Sequence, residues 1–372
     1  MKKLFFIAAI ASAALVSCTK NELAPSVTEQ QEISFSSPVV GNTTKASSTP
    51  SYGLLTGVYP TGVNFGVWAW YCEDDSYDPT NAKPYMTNVE VGYNSANKND
   101  VETESGAWVP TSPYYWPKNG KLTFNAYSPI EISSYVTCDK TTGLAFTDYV
   151  VPTTIASQID VLYSNRAEDK TSSIGTVGNT YEGVDIVFNH ALSAIAFTVK
   201  TAADYGNAIA LQSITVHADS KGTFNQNIPG TPSWISSVPA DYVVAGAVDA
   251  AYGASQIVTS SSQSAGATTL ILPQTFDSAN QTITVAYYIK NNDEEPLLQT
   301  ATFDLSLSEN QSGNVPDGED EGTDPDAVTV DRWEMGKKYT YNLTIGLDGI
   351  YFSPAINAWD DQTQVNLPQI NS

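Results

Sequence analysis

The side chains that could perform chemistry are few and are not grouped. The two histidines, His190 and His217, lie in unlike contexts, and the chain contains no zinc-protease, nucleophile-elbow, dinucleotide-binding or phosphate-loop motif. Ser95 and Lys98 match S-x-x-K formally, but the companion motifs of that chemistry do not follow. We therefore predict that the protein is not an enzyme, and we expect no catalytic residue and no cofactor.

The sharpest cluster of charge is the acidic run DGEDEGTDPD at residues 317–326. It resembles a calcium loop, but the twelfth position counted from Asp317 is Val328, where an EF-hand places a bidentate Glu. We favour a solvated acidic loop and predict no metal site, with a Ca²⁺ site in this loop as the alternative.

One cysteine has a context that specifies its chemistry. A positive start, Lys2 and Lys3, leads into an apolar stretch that is too short to span a bilayer and reads as a signal peptide. The stretch ends in LVSC at residues 15–18, which matches the bacterial lipobox, so Cys18 is predicted to be lipidated after residues 1–17 are removed. Several acyl chains on one cysteine give stable anchoring, and we expect a surface-exposed location on the outer membrane.

The two remaining cysteines, Cys72 and Cys138, leave two options open. A disulfide between them is compatible with an oxidising compartment, but sixty-six residues separate them and their spacing does not imply a bridge. Two free thiols is the interpretation that we favour slightly.

The composition argues against a nucleic-acid partner. The 372-residue chain has 17 Lys+Arg against 40 Asp+Glu, a formal net charge of −23, and loss of Lys2 and Lys3 with the signal peptide makes this 15 − 40 = −25. Nucleic-acid binding needs clustered cations, so no nucleic-acid partner is expected. Hydrophobic residues make up 41% and charged residues only 15%, which is typical of a β-rich protein outside the cytoplasm.

Hydrophobic alternation with a period of two predicts strands throughout. It is clear at residues 122–126, 195–199, 283–289 and 339–345, and Gly, Pro and Asn clusters separate the segments. This pattern favours β-sandwiches, and the length favours two of them. We predict a tether with one strand at 18–50, an N-terminal sandwich at 51–185 and a C-terminal sandwich with a tail at 186–372.

Five motifs in order resemble the Bacteroidetes fimbrillin family of pilus-subunit lipoproteins. They are YYWPKNGKLTFNAYSP at 114–129, FNHALSAIAFTV at 188–199, LPQ at 272–274, WEMGKKYTY at 333–341 and INAW at 356–359. Together they cover nearly the whole chain. The resemblance implies an all-β fold of two transthyretin-like, Greek-key sandwiches and a fimbrial subunit or adhesin that associates with other pilus subunits and with surface receptors or glycans.

The resemblance also implies assembly by β-strand addition, in which a protease removes a self-complementing strand and a neighbour's strand takes its place. The self-complementing strand would contain Ile33 and Phe35. The processing site would fall at Lys45 and Ala46, although the family usually has Arg there.

The donor segment would lie in the tail, where Val365 and Leu367 alternate and Ile370 follows. Whether the subunit forms the stalk, the tip or the anchor of a pilus stays open.

A surface glycan-binding lipoprotein is the alternative function. Trp68 and Trp70 could stack on sugars if they were exposed. Strict alternation places both on one face of a strand, however, and such a face is more often buried.

Overall fold

The computed structural model describes residues 31–41, 59–98, 106–172, 183–276, 280–291, 294–311, 329–347 and 349–358. Strands make up nearly all of the regular structure, which confirms the all-β prediction. No helix within the described ranges is long and apolar enough to cross a membrane.

The strands of the described ranges are β1 (Val39–Val40), β2 (Phe65–Cys72), β3 (Lys83–Lys98), β4 (Gly106–Pro110), β5 (Lys121–Ser128), β6 (Val136–Asp139), β7 (Gly143–Val150), β8 (Leu162–Ser164), β9 (Ala167–Lys170), β10 (Val187–His190), β11 (Ser193–Thr201), β12 (Ile209–Asn225), β13 (Ser233–Gly246), β14 (Gln256–Ile257), β15 (Gln263–Ile271), β16 (Gln274–Thr275), β17 (Thr282–Ile289), β18 (Leu297–Asp304), β19 (Arg332–Trp333), β20 (Lys337–Ile345) and β21 (Ile350–Ala358). The helical elements are α1 (Ser308–Gln311) and the 3-10 turns Ile130–Tyr135, Ile155–Ser157 and Tyr252–Ala254.

Eight strands form the first sheet, in the order β1-β10-β8-β5-β2-β3-β4, with β9 paired to β5. Phe65, Val67 and Ala69 of β2 belong to one hydrophobic core. Trp68 and Trp70 alternate with them, are only 5% and 9% exposed, and belong to a second core. The central strand β2 is therefore buried on both faces, and the prediction of a buried face for the two tryptophans is confirmed.

Two further sheets enclose the second core. The larger has the order β18-β17-β12-β7-β6, with β13 and β14 also paired to β12, and the smaller has the order β15-β11-β20-β21. Along β12 the even-numbered residues from 214 to 224 are buried and the odd-numbered residues from 215 to 225 are partly exposed. The buried side chains of β11, β12 and β20 share this core, so the two sheets pack as layers on opposite sides of it.

Strand pairing crosses the predicted boundary near residue 185 in both directions. Strand β7, which precedes the boundary, pairs with β12 of the larger sheet around the second core. Strand β10, which follows the boundary, pairs with β8 of the first sheet. The division of the chain into two sandwiches and their Greek-key connection stay predictions.

A buried glutamine amide joins the first sheet to the larger sheet of the second core. Gln226 is 4% exposed. Its Oε1 accepts hydrogen bonds from the Leu144 N–H (3.0 Å) and the Asn125 amide (3.2 Å), and its Nε2 donates to the Ser164 carbonyl (2.7 Å). A side-chain amide can donate and accept at once, as a strand's backbone does. Gln226 thereby holds β5, β7 and β8 together.

Two more glutamines pair with strands in the same way. The amide of Gln158 bonds both the N–H (2.7 Å) and the carbonyl (3.0 Å) of Leu270. The amide of Gln274, the last residue of the LPQ motif, bonds both the N–H (2.9 Å) and the carbonyl (3.2 Å) of Asp219. The motif therefore has a structural reason, because the Gln274 amide bonds both backbone groups of Asp219 in β12.

Replacing Gln226 with Leu keeps the side chain's approximate volume and removes its amide. The buried N–H of Leu144 and carbonyl of Ser164 then lose their partner, and each orphaned group costs about 1–3 kcal/mol. We expect Gln226→Leu to lower the free energy of unfolding in urea by at least about 2 kcal/mol. Gln263→Leu is the control, because the Gln263 amide makes one bond at an exposed position. If both variants lowered the free energy of unfolding by a similarly small amount, this role of Gln226 would be contradicted.

Candidate strand-insertion site

Residues 31–41, which we call the inserted segment, lie between two stretches of chain that are far away in sequence. On one side the segment runs antiparallel to residues 108–116. The bonds there join the Ile33 N–H to the Tyr114 carbonyl (2.7 Å), the Phe35 N–H to the Trp108 carbonyl (2.8 Å) and the Trp116 N–H to the Gln31 carbonyl (2.9 Å).

On its other side the inserted segment runs parallel to residues 184–188. The Val184 N–H donates to the Ser34 carbonyl (2.8 Å) and the Ser36 N–H donates to the Val184 carbonyl (3.0 Å). The Val39 N–H reaches the Ile186 carbonyl (3.2 Å) and the Gly41 N–H reaches the Phe188 carbonyl (3.0 Å). The segment is thus hydrogen-bonded along both edges.

This double pairing closes the first sheet. Strand β4 is at one end of the strand order, and β10, followed by β1, is at the other. The inserted segment bonds to the region of β4 and to the region of β10, so it joins the two ends. We call the groove that it fills, with residues 108–116 and 184–188 as its walls, the insertion site.

Two side chains of the inserted segment reach the first core. Ile33 is 1% exposed and Phe35 is fully buried. The Phe35 ring meets the rings of Phe65 and Phe124 edge to face, with centroid distances of 5.7 Å in both pairs. This geometry is the favourable one for aromatic pairs and adds about 0.5–1.5 kcal/mol to the gain from burial.

Tyr59 completes the aromatic cluster beneath the inserted segment. Its ring stacks on Phe188 at 5.4 Å and meets Trp108 at 5.1 Å. Its hydroxyl lies 2.6 Å from the Ser128 hydroxyl, and burial raises the pKa of Tyr59 above its ordinary value. Tyr59 follows the inserted segment in the chain and packs against both walls of the insertion site.

Gly183 permits the close approach of the inserted segment to one wall. Its φ of +94° is a conformation that glycine adopts without strain. A Cβ at this position would lie 2.5 Å from the backbone carbonyl carbon of Phe35 and the backbone nitrogen of Ser36. Any other residue at 183 would therefore push the segment out of its hydrogen-bonding register.

The structure brings together only part of the predicted site. Ile33 and Phe35 lie in the core of the first sheet. The other predicted positions lie outside the described residues, and their roles stay predictions. These are Cys18, Lys45, Ala46, Val365, Leu367 and Ile370, together with the acidic run at 317–326.

Both cysteines of the described ranges are free thiols. Cys72 is buried, and burial raises the pKa of the Cys138 thiol to about 12. A thiol with such a pKa is almost fully protonated near neutral pH, and it is the thiolate that attacks a disulfide. Cys138 is therefore a poor nucleophile, which agrees with the interpretation of two free thiols.

The histidines are engaged with carboxylates rather than with each other. His190 Nδ1 lies 2.9 Å from Asp160, and His217 Nδ1 lies 2.6 Å from Asp241. Within the described ranges, no group of three or more His, Cys, Asp or Glu side chains is placed to hold a metal ion.

Sequence reasoning missed half of the insertion site. The alternation of Ile33 and Phe35 indicated a strand, but nothing indicated that Val39–Val40 continues it along residues 186–188. Parallel pairing between segments nearly 150 residues apart leaves no local pattern in either one. Gly183 was a detectable signal, because a glycine directly before a dense apolar run often marks a close backbone approach.

The comparisons with known proteins agree with this architecture. The family model described as fimbrillin-like matches residues 56–359. The chain belongs to the fimbrillin-like family. A search of curated proteins gave no match.

Two solved structures share the fold of this fimbrillin-like protein. One is a fimbrial protein from Bacteroides vulgatus, with 17% identity, a TM-score of 0.56, and coverage of 88% of this chain and 99% of the other. The second is a candidate cell adhesion protein from Bacteroides uniformis, with 14% identity, a TM-score of 0.51, and coverage of 90% and 99%. Family membership supports a fimbrial subunit that associates with other subunits in a fimbrium at the cell surface.

Replacing Phe35 with Ala should open the insertion site. We expect a loss of about 3–5 kcal/mol in the free energy of unfolding, the usual cost of removing a buried Phe side chain. We also expect limited proteolysis to cut the chain near residues 31–41 well before the rest of the protein.

The matched control is Phe276→Ala, because Phe276 is a buried phenylalanine of the second core. It should destabilise the protein without exposing the inserted segment. Equal cutting at residues 31–41 in both variants would contradict a specific role of Phe35.

Proposed function

We propose that this fimbrillin-like protein is a fimbrial subunit that is exported as a lipoprotein through Cys18 and assembled by β-strand addition at the insertion site. The single observation that carries the proposal is the double-edged pairing of the inserted segment. The segment precedes the rest of the sheet in the chain, bonds to one wall through residues 31–35 and to the other through residues 34–41, and its partners are at least about 70 positions away. Removing it would leave a groove with two unpaired edges.

The empty groove would strongly favour a replacement. Full burial of a side chain such as Ile or Phe contributes about 1.5–3 kcal/mol. The unpaired backbone groups of residues 108–116 and 184–188 would need new partners. An extended strand from a neighbouring subunit supplies both, because its main chain bonds to the two walls and its alternate side chains fill the positions of Ile33 and Phe35.

Cleavage between Lys45 and Ala46 would separate the inserted segment from the rest of the chain. Both residues follow Gly41, which in the described range 31–41 is the last residue bonded to the walls, so a cut there leaves Tyr59 and the walls on the main body. N-terminal sequencing of the surface-exposed protein shows whether this cleavage takes place. A first residue of Ala46 means a matured, polymerising subunit, whereas a blocked N-terminus at Cys18 means an anchored subunit.

The tail offers a donor with the required spacing. Val365 and Leu367 are two residues apart, as Ile33 and Phe35 are. Pro368 has no backbone N–H, so the paired stretch would end there and Ile370 would lie past it. Leu367 is smaller than Phe35, which makes a tail-filled groove less tightly packed than a self-filled one.

The alternative of a surface glycan-binding lipoprotein loses the two residues that favoured it. Trp68 and Trp70 are packed in the second core, so neither ring can stack on a sugar.

A peptide of residues 360–372 tests the strand-addition proposal. A protease site introduced within residues 42–50 lets the protein fold with its own strand and then be cut. We expect the peptide, added in large excess because it packs less tightly, to displace the cut segment by mass action. Mass spectrometry of the complex should then show one peptide in place of the residues up to the cut.

Matched peptides sharpen that test. Leu367→Asp places a charge on the face directed at the core and should abolish exchange, whereas Asn366→Asp places the same charge on the opposite face and should not. Equal exchange of the two variant peptides, or no exchange of the unmodified one, would contradict the tail as donor.

A further inference from the structure

The side chain of Phe35 completes a network of aromatic rings in the insertion site. Its ring meets the rings of Phe65 and Phe124 edge to face. Phe65 in turn contacts the rings of Trp108 and Phe188 at 5.6 Å, and both of these residues belong to the walls. An aliphatic side chain at the place of Phe35, which we call position 35, fills part of this space but forms no ring pair. Position 35 therefore favours an aromatic residue in any strand that fills the site.

The next residue of the inserted segment is held by polar contacts. The Ser36 N–H donates to the Val184 carbonyl (3.0 Å), and the Ser36 hydroxyl donates to Asp185 Oδ1 (2.8 Å). A hydrogen bond from a hydroxyl to a carboxylate is charge-assisted and stronger than a bond between neutral groups. The place of Ser36, which we call position 36, therefore favours Ser or Thr and requires a backbone N–H.

The chain's own tail does not match these two positions in the register that keeps the spacing of its apolar residues. That register places Leu367 at position 35 and Pro368 at position 36. Leu367 has no aromatic ring. Pro368 has neither an N–H for the wall's carbonyl nor a hydroxyl for the wall's carboxylate.

A shift of the tail by two residues does not remove the mismatch. Pro368 then takes the place of Pro38, a buried residue of the inserted segment, and Asn366 supplies an N–H at position 36. Val365, however, then lies at position 35. Neither register combines an aromatic ring at position 35 with a hydroxyl at position 36.

Building on the proposed strand addition, we propose that the neighbour whose strand fills the insertion site is a different subunit and not a second copy of this chain. Its donor strand has an aromatic residue at position 35 and Ser or Thr at position 36. A strand that displaces the cut segment without a large excess must make contacts of equal strength. The tail of this chain makes fewer of them.

Variants of the tail peptide test this selectivity on the full chain with a protease site introduced within residues 42–50. After cleavage, each 360–372 peptide is titrated against the protein, and mass spectrometry measures how much of the cut segment it replaces. Leu367→Phe and Pro368→Ser should each raise the exchange constant at least about fivefold, because one adds ring contacts and the other adds hydrogen bonds. The control is Gln369→Phe, which adds the same ring at the place of the exposed Ser37 and should change the constant by less than about twofold.

Replacing Asp185 with Ala tests the polar contact at position 36 separately. With the unmodified wall, the Pro368→Ser peptide should exchange at least about threefold better than the Pro368→Ala peptide, which has the N–H but no hydroxyl. With Asp185→Ala, the two peptides should exchange equally. Asp185 is exposed, so the variant should fold. The same preference for Ser with both walls would overturn the selectivity at position 36.

An isotope-labelled peptide of residues 31–41 shows whether the site accepts any free strand. It matches every contact of the site and should exchange with the cut segment. If it exchanges and the unmodified tail peptide exchanges equally well, strand addition stands and the different neighbour is overturned. If no peptide exchanges, the 31–41 peptide included, strand addition itself fails and the different neighbour fails with it.

Discussion

Backbone pairing of residues 31–41 with two distant walls is the interaction on which the first sheet depends. Without it, β4 and β10 would be open edges and the buried rings of Phe65 and Phe124 would face water. The inserted segment is held by main-chain hydrogen bonds along both edges and by two side chains in the core. Main-chain bonds are independent of sequence, so the strand-addition proposal requires of a replacement strand only that its alternate side chains fit the core.

The first sheet is bonded to and packed against the second core. The amide of Gln226 ties β5 and β8 of the first sheet to β7 of the larger sheet, and Trp68 and Trp70 anchor the outer face of β2 in that core. Of these strands, β8 lies next to β10 at one wall of the insertion site, whereas β2 and β5 lie in the middle of the strand order. The first sheet is therefore held to the second core at its centre and beside one wall.

Local patterns in the sequence were sufficient for the all-β class, for the buried face of Trp68 and Trp70, and for the alternation that places Ile33 and Phe35 in a core. Each of these depends on a period of two within a few residues. The parallel partner at 184–188 and the pairing of β7 with β12 depend on contacts between distant segments, and alternation alone does not say which strands become neighbours.

The glutamine amides show a second limit of sequence reasoning. Gln158 and Gln226 look like ordinary polar residues, and only their burial beside strand backbones shows that they replace strand pairing. Gln274 stood out within the LPQ motif, but its spacing did not show that the amide bonds Asp219. Side chains that satisfy backbone groups can be recognised only once the backbone is in place.

Amide hydrogen exchange on the uncut, full-length protein is the most direct test of the double pairing. The N–H groups of Ile33, Phe35, Ser36 and Val39 donate to the two walls, so they should exchange as slowly as those of the central strand β2. Release of the segment should then speed exchange at Val184 and Trp116, which donate to it. Rapid exchange at residues 31–41 in the uncut protein would contradict an integral strand at this position.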